Sequence, residues 1–173
     1  NTRVNSIAYT PDGYVWLATH GGLVRFDGMD FTTFKTNTIP GLQVNQVYRL
    51  YTDRTGMLWI GTTVGTLVKR DDNGFSTVDV PRAYTSGHNL NAIIDDNQGG
   101  LWLPFAGTGL VRLKGGQMEY FSTTNGLPVT NITQMVADQA GKLWAIGDEK
   151  LLGLDQGKWR LVEGEHSPPS IRV

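Results

Sequence analysis

Apolar and polar positions along the chain repeat in blocks of about forty residues. Four of the five Trp stand at positions 16, 59, 102 and 144, spaced 43, 43 and 42 residues apart. Twelve residues before them lie Val4, Val47, Leu90 and Ile132, and nine before them Ile7, Leu50, Ile93 and Met135. Three residues before each Trp is a Gly: Gly13, Gly56, Gly99 and Gly141. Six before it stand Asp53, Asp96 and Asp138, with Thr10 in the first copy. A period of this length marks stacked supersecondary units, none of which can bury its apolar faces alone.

Each unit reads as four short strands. The first spans Val4 to Tyr9 and its counterparts Val47 to Tyr51, Leu90 to Ile94 and Ile132 to Ala137. A Gly-bearing turn follows, then the Trp strand, as in Leu58-Trp59-Ile60. The third strand is Leu23 to Phe26, Leu67 to Lys69, Leu110 to Leu113 and Leu151 to Leu154. Turns such as Asp27-Gly28 and Asn73-Gly74 suit tight hairpins and lead to a fourth strand marked by aromatics, including Phe31, Phe34, Phe75 and Trp159. No segment keeps a 3.6-residue period over three turns. The pattern predicts an all-β chain: a β-propeller segment of four four-stranded antiparallel blades at 3–36, 44–80, 89–123 and 130–163. Residues 164–173 are expected to open a further blade or form a tail. Each blade is contiguous in sequence, with no strand left to latch a ring, so an arc of a larger propeller is expected.

Composition narrows the function. With 15 Lys and Arg against 16 Asp and Glu, the net charge is −1. That balance gives no basic footprint for nucleic acid and no polybasic patch for an anionic membrane. Twenty-two Gly and only 18% charged residues fit a turn-rich chain. The chain has no Cys, which excludes disulfides, a thiolate nucleophile and a Cys-ligated metal. No apolar run approaches the ~18 residues of a membrane span, so no direct membrane insertion is expected. The sequence opens on Asn1-Thr2-Arg3 without an apolar leader, as expected of a piece of something longer or of a processed protein.

The repeat resembles the two-component regulator propeller repeat. The best copies are Asp53-Arg54-Thr55-Gly56-Met57-Leu58-Trp59-Ile60-Gly61-Thr62 and Gly21-Gly22-Leu23-Val24-Arg25-Phe26-Asp27-Gly28, and the resemblance extends over residues 3–162. It implies a periplasmic, ligand-sensing module of a bacterial signal-transduction receptor. Such modules precede a transmembrane helix and an output domain, either a histidine kinase or a GGDEF diguanylate cyclase. In many hybrid kinases of this type the propellers recognise glycan fragments and dimerise, so a small-molecule ligand, an oligosaccharide among them, and a homodimer are implied. Two departures stand out: Trp102-Leu103-Pro104-Phe105 replaces the Trp-Ile-Gly-Thr pattern, and Trp144-Ala145-Ile146-Gly147-Asp148-Glu149-Lys150 is one residue shorter.

The candidate chemistry is thin. The four repeated Trp, each among Leu, Val and Ile, read as packing between blades rather than as a sugar platform. The repeated Asp read as acceptors for turn N–H groups. Asn5, Asn45, Asn91 and Asn131 near the first strands read as backbone partners in inter-blade turns, or as a polar ring at the channel mouth. His20, His88 and His166 have no metal-binding or paired spacing, and no Gly-x-Ser-x-Gly elbow or phosphate loop is present. No cofactor, metal or catalytic residue is therefore expected. The richest segment is Pro81-Arg82-Ala83-Tyr84-Thr85-Ser86-Gly87-His88-Asn89 between the second and third units. Arg82, Tyr84 and His88 offer a guanidinium, a phenol and an imidazole suited to polar or anionic ligands. His20, in a loop that can share their face, and Phe105, as an apolar stacking surface, complete the expected ligand site. Two other readings stay open: a non-catalytic protein-interaction propeller, and a propeller lyase or hydrolase.

Overall fold

A computed structural model describes residues 3–85 and 87–162. The expected tail at 164–173, and His166 within it, lie outside the described residues. Blade 1 comprises β1 (Val4–Tyr9), β2 (Val15–Thr19), β3 (Gly22–Phe26) and β4 (Phe31–Phe34). Blade 2 comprises β5 (Val47–Thr52), β6 (Leu58–Thr62), β7 (Leu67–Asp71) and β8 (Gly74–Val78). Blade 3 comprises β9 (Ile94–Asp95), β10 (Gly100–Phe105), β11 (Gly109–Lys114) and β12 (Gln117–Phe121). Blade 4 comprises β13 (Ile132–Ala137), β14 (Leu143–Gly147), β15 (Lys150–Asp155) and β16 (Lys158–Leu161). Every sheet keeps its strands in sequence order and pairs them antiparallel, as hairpin-linked propeller blades do. One short helix, α1 (Arg82–Thr85), interrupts the connection from blade 2 to blade 3. Four residues are too few to show helical periodicity in sequence, so α1 is an addition to the all-β expectation.

The first hairpin explains the repeated Gly and Asp. The turn closes by Asp53 N–H to Met57 O (3.0 Å) and Gly56 N–H to Asp53 O (2.9 Å), and blade 4 repeats both bonds. Gly13, Gly56, Gly99 and Gly141 hold φ of 90°, 86°, 78° and 81°, a region that side chains strain. Asp53 Oδ1 accepts the N–H groups of Thr55 and Met57, while its Oδ2 accepts the Trp59 indole N–H at 2.7 Å. Asp138 does the same for Ala140, Lys142 and the Trp144 indole. In blade 1, Thr10 Oγ1 takes the Trp16 indole proton (2.9 Å) and donates to Asp12 Oδ1 (2.5 Å). Blade 3 breaks the rule. Asp96 Oδ2 accepts from Arg112 Nε (3.1 Å) and Nη2 (2.6 Å), and the buried Trp102 indole N–H has no partner.

Blades stack front to back. The Trp face of blade 1 (Trp16, Ala18, Leu23) packs on Leu50, Leu58, Ile60 and Val68 of blade 2. Trp59 and Leu67 then meet Ile93, Leu101, Leu103 and Val111 of blade 3. Trp102 and Leu110 in turn meet Met135, Leu143, Ala145 and Leu152 of blade 4. The repeated positions are thus the two halves of one interface used three times. The back face of blade 1 is left open: Ile7 is 66% exposed, where its counterpart Leu50 is 8% exposed. On blade 4, the Trp144 face is half-buried. The described residues therefore form an arc.

Side-chain bonds to backbone reinforce the arc where one blade meets the next. Asn5 Nδ2 donates to Val47 O (2.9 Å), and its structural counterpart Asn91 donates to Ile132 O (2.8 Å). Asn45 Oδ1 accepts Thr36 N–H (2.9 Å), and Asn131 Oδ1 accepts Gly107 N–H (3.2 Å). All four thus bond to backbone. Pro104 lies inside β10, where it supplies no N–H, and the neighbouring inner strand β9 shrinks to two residues. Inner strands of the other blades run for six residues, each with a bulge near its start.

Candidate functional site

Of the sequence-predicted ligand residues, Arg82, Tyr84, His88 and Phe105 lie on or under the loops between blades 2 and 3, and His20 lies on blade 1. Pro81 leads into α1, and Tyr84 N–H closes back onto Pro81 O at 2.8 Å. The Tyr84 ring stacks on Tyr120 of β12, with centroids 4.5 Å apart and planes 8° from parallel. Tyr120 donates its hydroxyl to Thr108 O, and Thr108 Oγ1 donates to Tyr84 O at 2.9 Å. Burial pushes the Tyr120 phenol above its ordinary range, with a smaller contribution from Tyr84. The connection is thereby latched to the β10–β11 loop.

His88 joins the same latch. Its Nδ1 bonds Ala106 O, which assigns the ring proton to Nδ1 and leaves Nε2 as the acceptor in the neutral form. Ala106 N–H returns to Asn89 O at 3.1 Å, and Gly107 N–H reaches Asn131 of blade 4. Blades 2, 3 and 4 are tied together here by Tyr84, His88, Thr108 and Asn131. Thr108 and Tyr120 are additions to the expected set. Their roles depend on the fold bringing β12 against α1, which no spacing in the chain announces.

Arg82 turns elsewhere. It is exposed and lines a cleft of ≈290 Å³ with Gln43, Thr66, Thr77, Asp79 and Thr85, on the outer side of blade 2. His20 is exposed in the β2–β3 turn, and its backbone N–H meets Arg3 O at 3.4 Å. Among the described residues no side-chain bond links it to Arg82, Tyr84 or His88. The structure therefore joins Tyr84 to His88, sets Arg82 beside them on a separate cleft, and leaves His20 apart.

Phe105 corrects the expectation. It is fully buried and packs with Leu90, Leu103 and Val111, so it offers no stacking face to a ligand. It occupies the third position after the Trp, where Thr19 and Thr62 are also buried. The strand register points that position inward whatever residue fills it, and a larger side chain simply fills more of the core.

Among the described residues no three His, Asp or Glu converge as metal ligands. None of the described helices is long and apolar enough to cross a membrane.

Comparison with known proteins places this geometry. Residues 1–21 and 41–63 match the model of the two component regulator propeller family. It is 32% identical over 74 residues to the photosystem II assembly lipoprotein Ycf48 of Synechococcus sp. (strain RCC307), covering 42% of this chain and 22% of that protein. The extracellular domain of BT4673 from B. thetaiotaomicron, described as a one component system, shares the fold with a TM-score of 0.80 at 22% identity. That likeness covers 99% of this chain and 24% of the solved extracellular domain. A gluconolactonase of Xanthomonas campestris shares it with a TM-score of 0.63 at 12% identity, over 91% of this chain and 61% of that one. The chain spans about a quarter of the length of the first two proteins. At these identities the structural likeness defines the β-propeller fold.

Proposed function

We propose that the chain is an extracytoplasmic, ligand-sensing propeller module of a bacterial signal-transduction receptor. The observation that carries the reading is the two component regulator propeller match at residues 1–21 and 41–63 on a four-bladed arc. The description of BT4673 as the extracellular domain of a signalling system supports the compartment.

The ligand surface in this reading is formed by Arg82, Tyr84 and His88, with His20 set apart on the β2–β3 turn of blade 1. An exposed guanidinium and an imidazole acceptor suit a polar ligand such as an oligosaccharide. The latch gives a route to signalling. A ligand that engages α1 competes with, or strengthens, the bonds from Tyr84 and His88 to the β10–β11 loop. It thereby shifts the population between two settings of blades 2 and 3. Unfolding followed by fluorescence, in the presence of a panel of oligosaccharides, tests this. At least one oligosaccharide raises the wild-type midpoint, and Arg82→Ala or Tyr84→Ala reduces that shift. Equal shifts in wild type and both variants would reject this placement of the site.

Self-association belongs to the same reading. The open back of blade 1, with Ile7, Tyr9 and Phe31 exposed, is the counterpart of the faces that receive a Trp face inside the arc. A second copy presents such a face at Trp144.

A protein-interaction propeller is the second reading, favoured by the local identity to an assembly lipoprotein. It predicts partner capture with no response to oligosaccharides. The fold shared with a gluconolactonase keeps a hydrolase or lyase as a third reading. Unchanged turnover by the parent protein in His20→Ala and His88→Ala would dismiss the version that relies on those residues.

A further inference from the structure

The three blade interfaces follow one plan, and one of them is under-filled. At the first, Trp16 lies between Phe34 of its own blade, 5.7 Å away, and Phe75 of the next, 6.2 Å away and near perpendicular at 87°. At the third, Trp102 lies between Phe121 at 5.2 Å and Trp159 at 5.5 Å, again near perpendicular at 89°. Strand register identifies the counterparts at the second interface. Phe34, Val78 and Phe121 sit opposite Leu23, Leu67 and Leu110, so Val78 replaces the near ring. Phe75, Met118 and Trp159 sit opposite Arg70, Leu113 and Leu154, so Met118 replaces the far ring.

The missing rings leave space. A cleft of ≈560 Å³ opens beside Trp59, lined by Val78, Leu101, Leu113 and Met118. Its size falls within the usual range of small-molecule sites. Trp59 keeps 8% exposure, against 0% for Trp16 and 2% for Trp102. A cleft of ≈480 Å³ also lies beside Trp102, but there Arg112 covers the indole at 5.3 Å and is bound to Asp96. The residue opposite Trp59 is instead Lys69, which makes no ion pair among the described residues. Asp79 and Asp95 stand along the same cleft as carboxylate acceptors, with the exposed Arg54 guanidinium 3.9 Å from Asp95.

We propose that the Trp59 cleft binds a flat aromatic ring carrying an N–H or O–H on its edge. The ring takes the place that phenyl and indole groups of the chain itself fill at the two sister interfaces. Val78, Met118, Leu101 and Leu113 supply its apolar walls, and edge-to-face contact with Trp59 is the geometry those interfaces already use. The Asp79 or Asp95 carboxylate accepts the edge proton, as Asp53 accepts that of Trp59. The site goes beyond the loop-face reading, and Val78 and Asp79 form the wall between its cleft and the one that holds Arg82.

Isothermal titration with indole, and with methyl glucoside as a non-aromatic ring, tests the proposal on the folded chain. Indole binds saturably and methyl glucoside does not. Val78→Phe, which restores the ring of blades 1 and 3, weakens indole binding by about tenfold or more without lowering the unfolding midpoint. Met118→Trp, which copies Trp159, closes the cleft from the other wall and gives the same loss if Val78→Phe disturbs folding. The proposal is overturned if indole does not bind, if both filling variants bind it as wild type does, or if methyl glucoside binds equally well.

Discussion

The indole N–H of Trp59 donates to Asp53 Oδ2 at 2.7 Å, so the residue that packs the blade interface is pinned by the residue that starts the turn. One carboxylate serves both ends of the hairpin: Oδ1 holds the turn amides and Oδ2 orients the ring. The six-residue spacing is what lets one side chain do this.

Removing that carboxylate strands several donors at once. Asp53→Ala is expected to lower stability by about 2–4 kcal/mol, since bonds to a charged group contribute more than neutral ones. Urea unfolding measures it. Asp138→Ala, at the open end of the arc, costs less. Equal losses at both positions would count against the interface as the source of the effect.

Acid sensitivity follows from the same carboxylates. Burial raises the Asp53 carboxyl, but bonds from Thr55, Trp59 and the turn amides outweigh it and leave the group below its ordinary value. Asp96 is held down likewise, by Arg112 and the turn amides against burial. A carboxyl depressed by folding stabilises fully above its unfolded pKa, about 3.9, and this contribution fades as pH falls through the folded value. Urea midpoints are therefore flat for these groups near neutrality and fall below about pH 4. Asp53→Asn flattens the fall, and an unaltered pH profile in that variant would contradict the assignment.

The aromatic sandwiches predict an asymmetry between interfaces. Phe75 meets both Trp16 and Phe34, at 6.2 and 5.4 Å, whereas Met118 meets no ring pair of this kind. Phe75→Leu is expected to cost about 1 kcal/mol from lost ring contacts. Met118→Leu, a near volume-conserving change, costs less. Paired denaturation curves decide it, and a larger loss for Met118→Leu would refute the picture of an under-filled second interface.

Self-association is open to a direct test. Sedimentation of the chain is expected to show a species larger than the monomer, and Ile7→Lys or Phe31→Lys to shift it toward monomer. A monomer at all concentrations would remove the proposed contact between the blade 1 back and the Trp144 face.

How much of this the chain announces depends on how local each requirement is. The Trp, Gly and Asp of each repeat are tied by one hairpin, so their spacing alone reports the blade. Phe105 misleads because it ends a strand in a departure from the repeat, which reads as a loop, while the register buries that position. The latch between Tyr84 and Tyr120 spans thirty-six residues of sequence and needs both blade 3 and α1 in place. The cleft at Trp59 is legible only by aligning Val78 with Phe34 and Met118 with Phe75, a correspondence that cross-strand pairing supplies and simple spacing from the Trp obscures.

Reading the gene past the codon for Val173 tests the sensor account most directly. The account predicts further propeller blades, then an apolar span of ~20 residues and a histidine kinase or diguanylate cyclase domain. A stop codon within a few residues of Val173 would contradict it and leave a free-standing interaction propeller as the better reading.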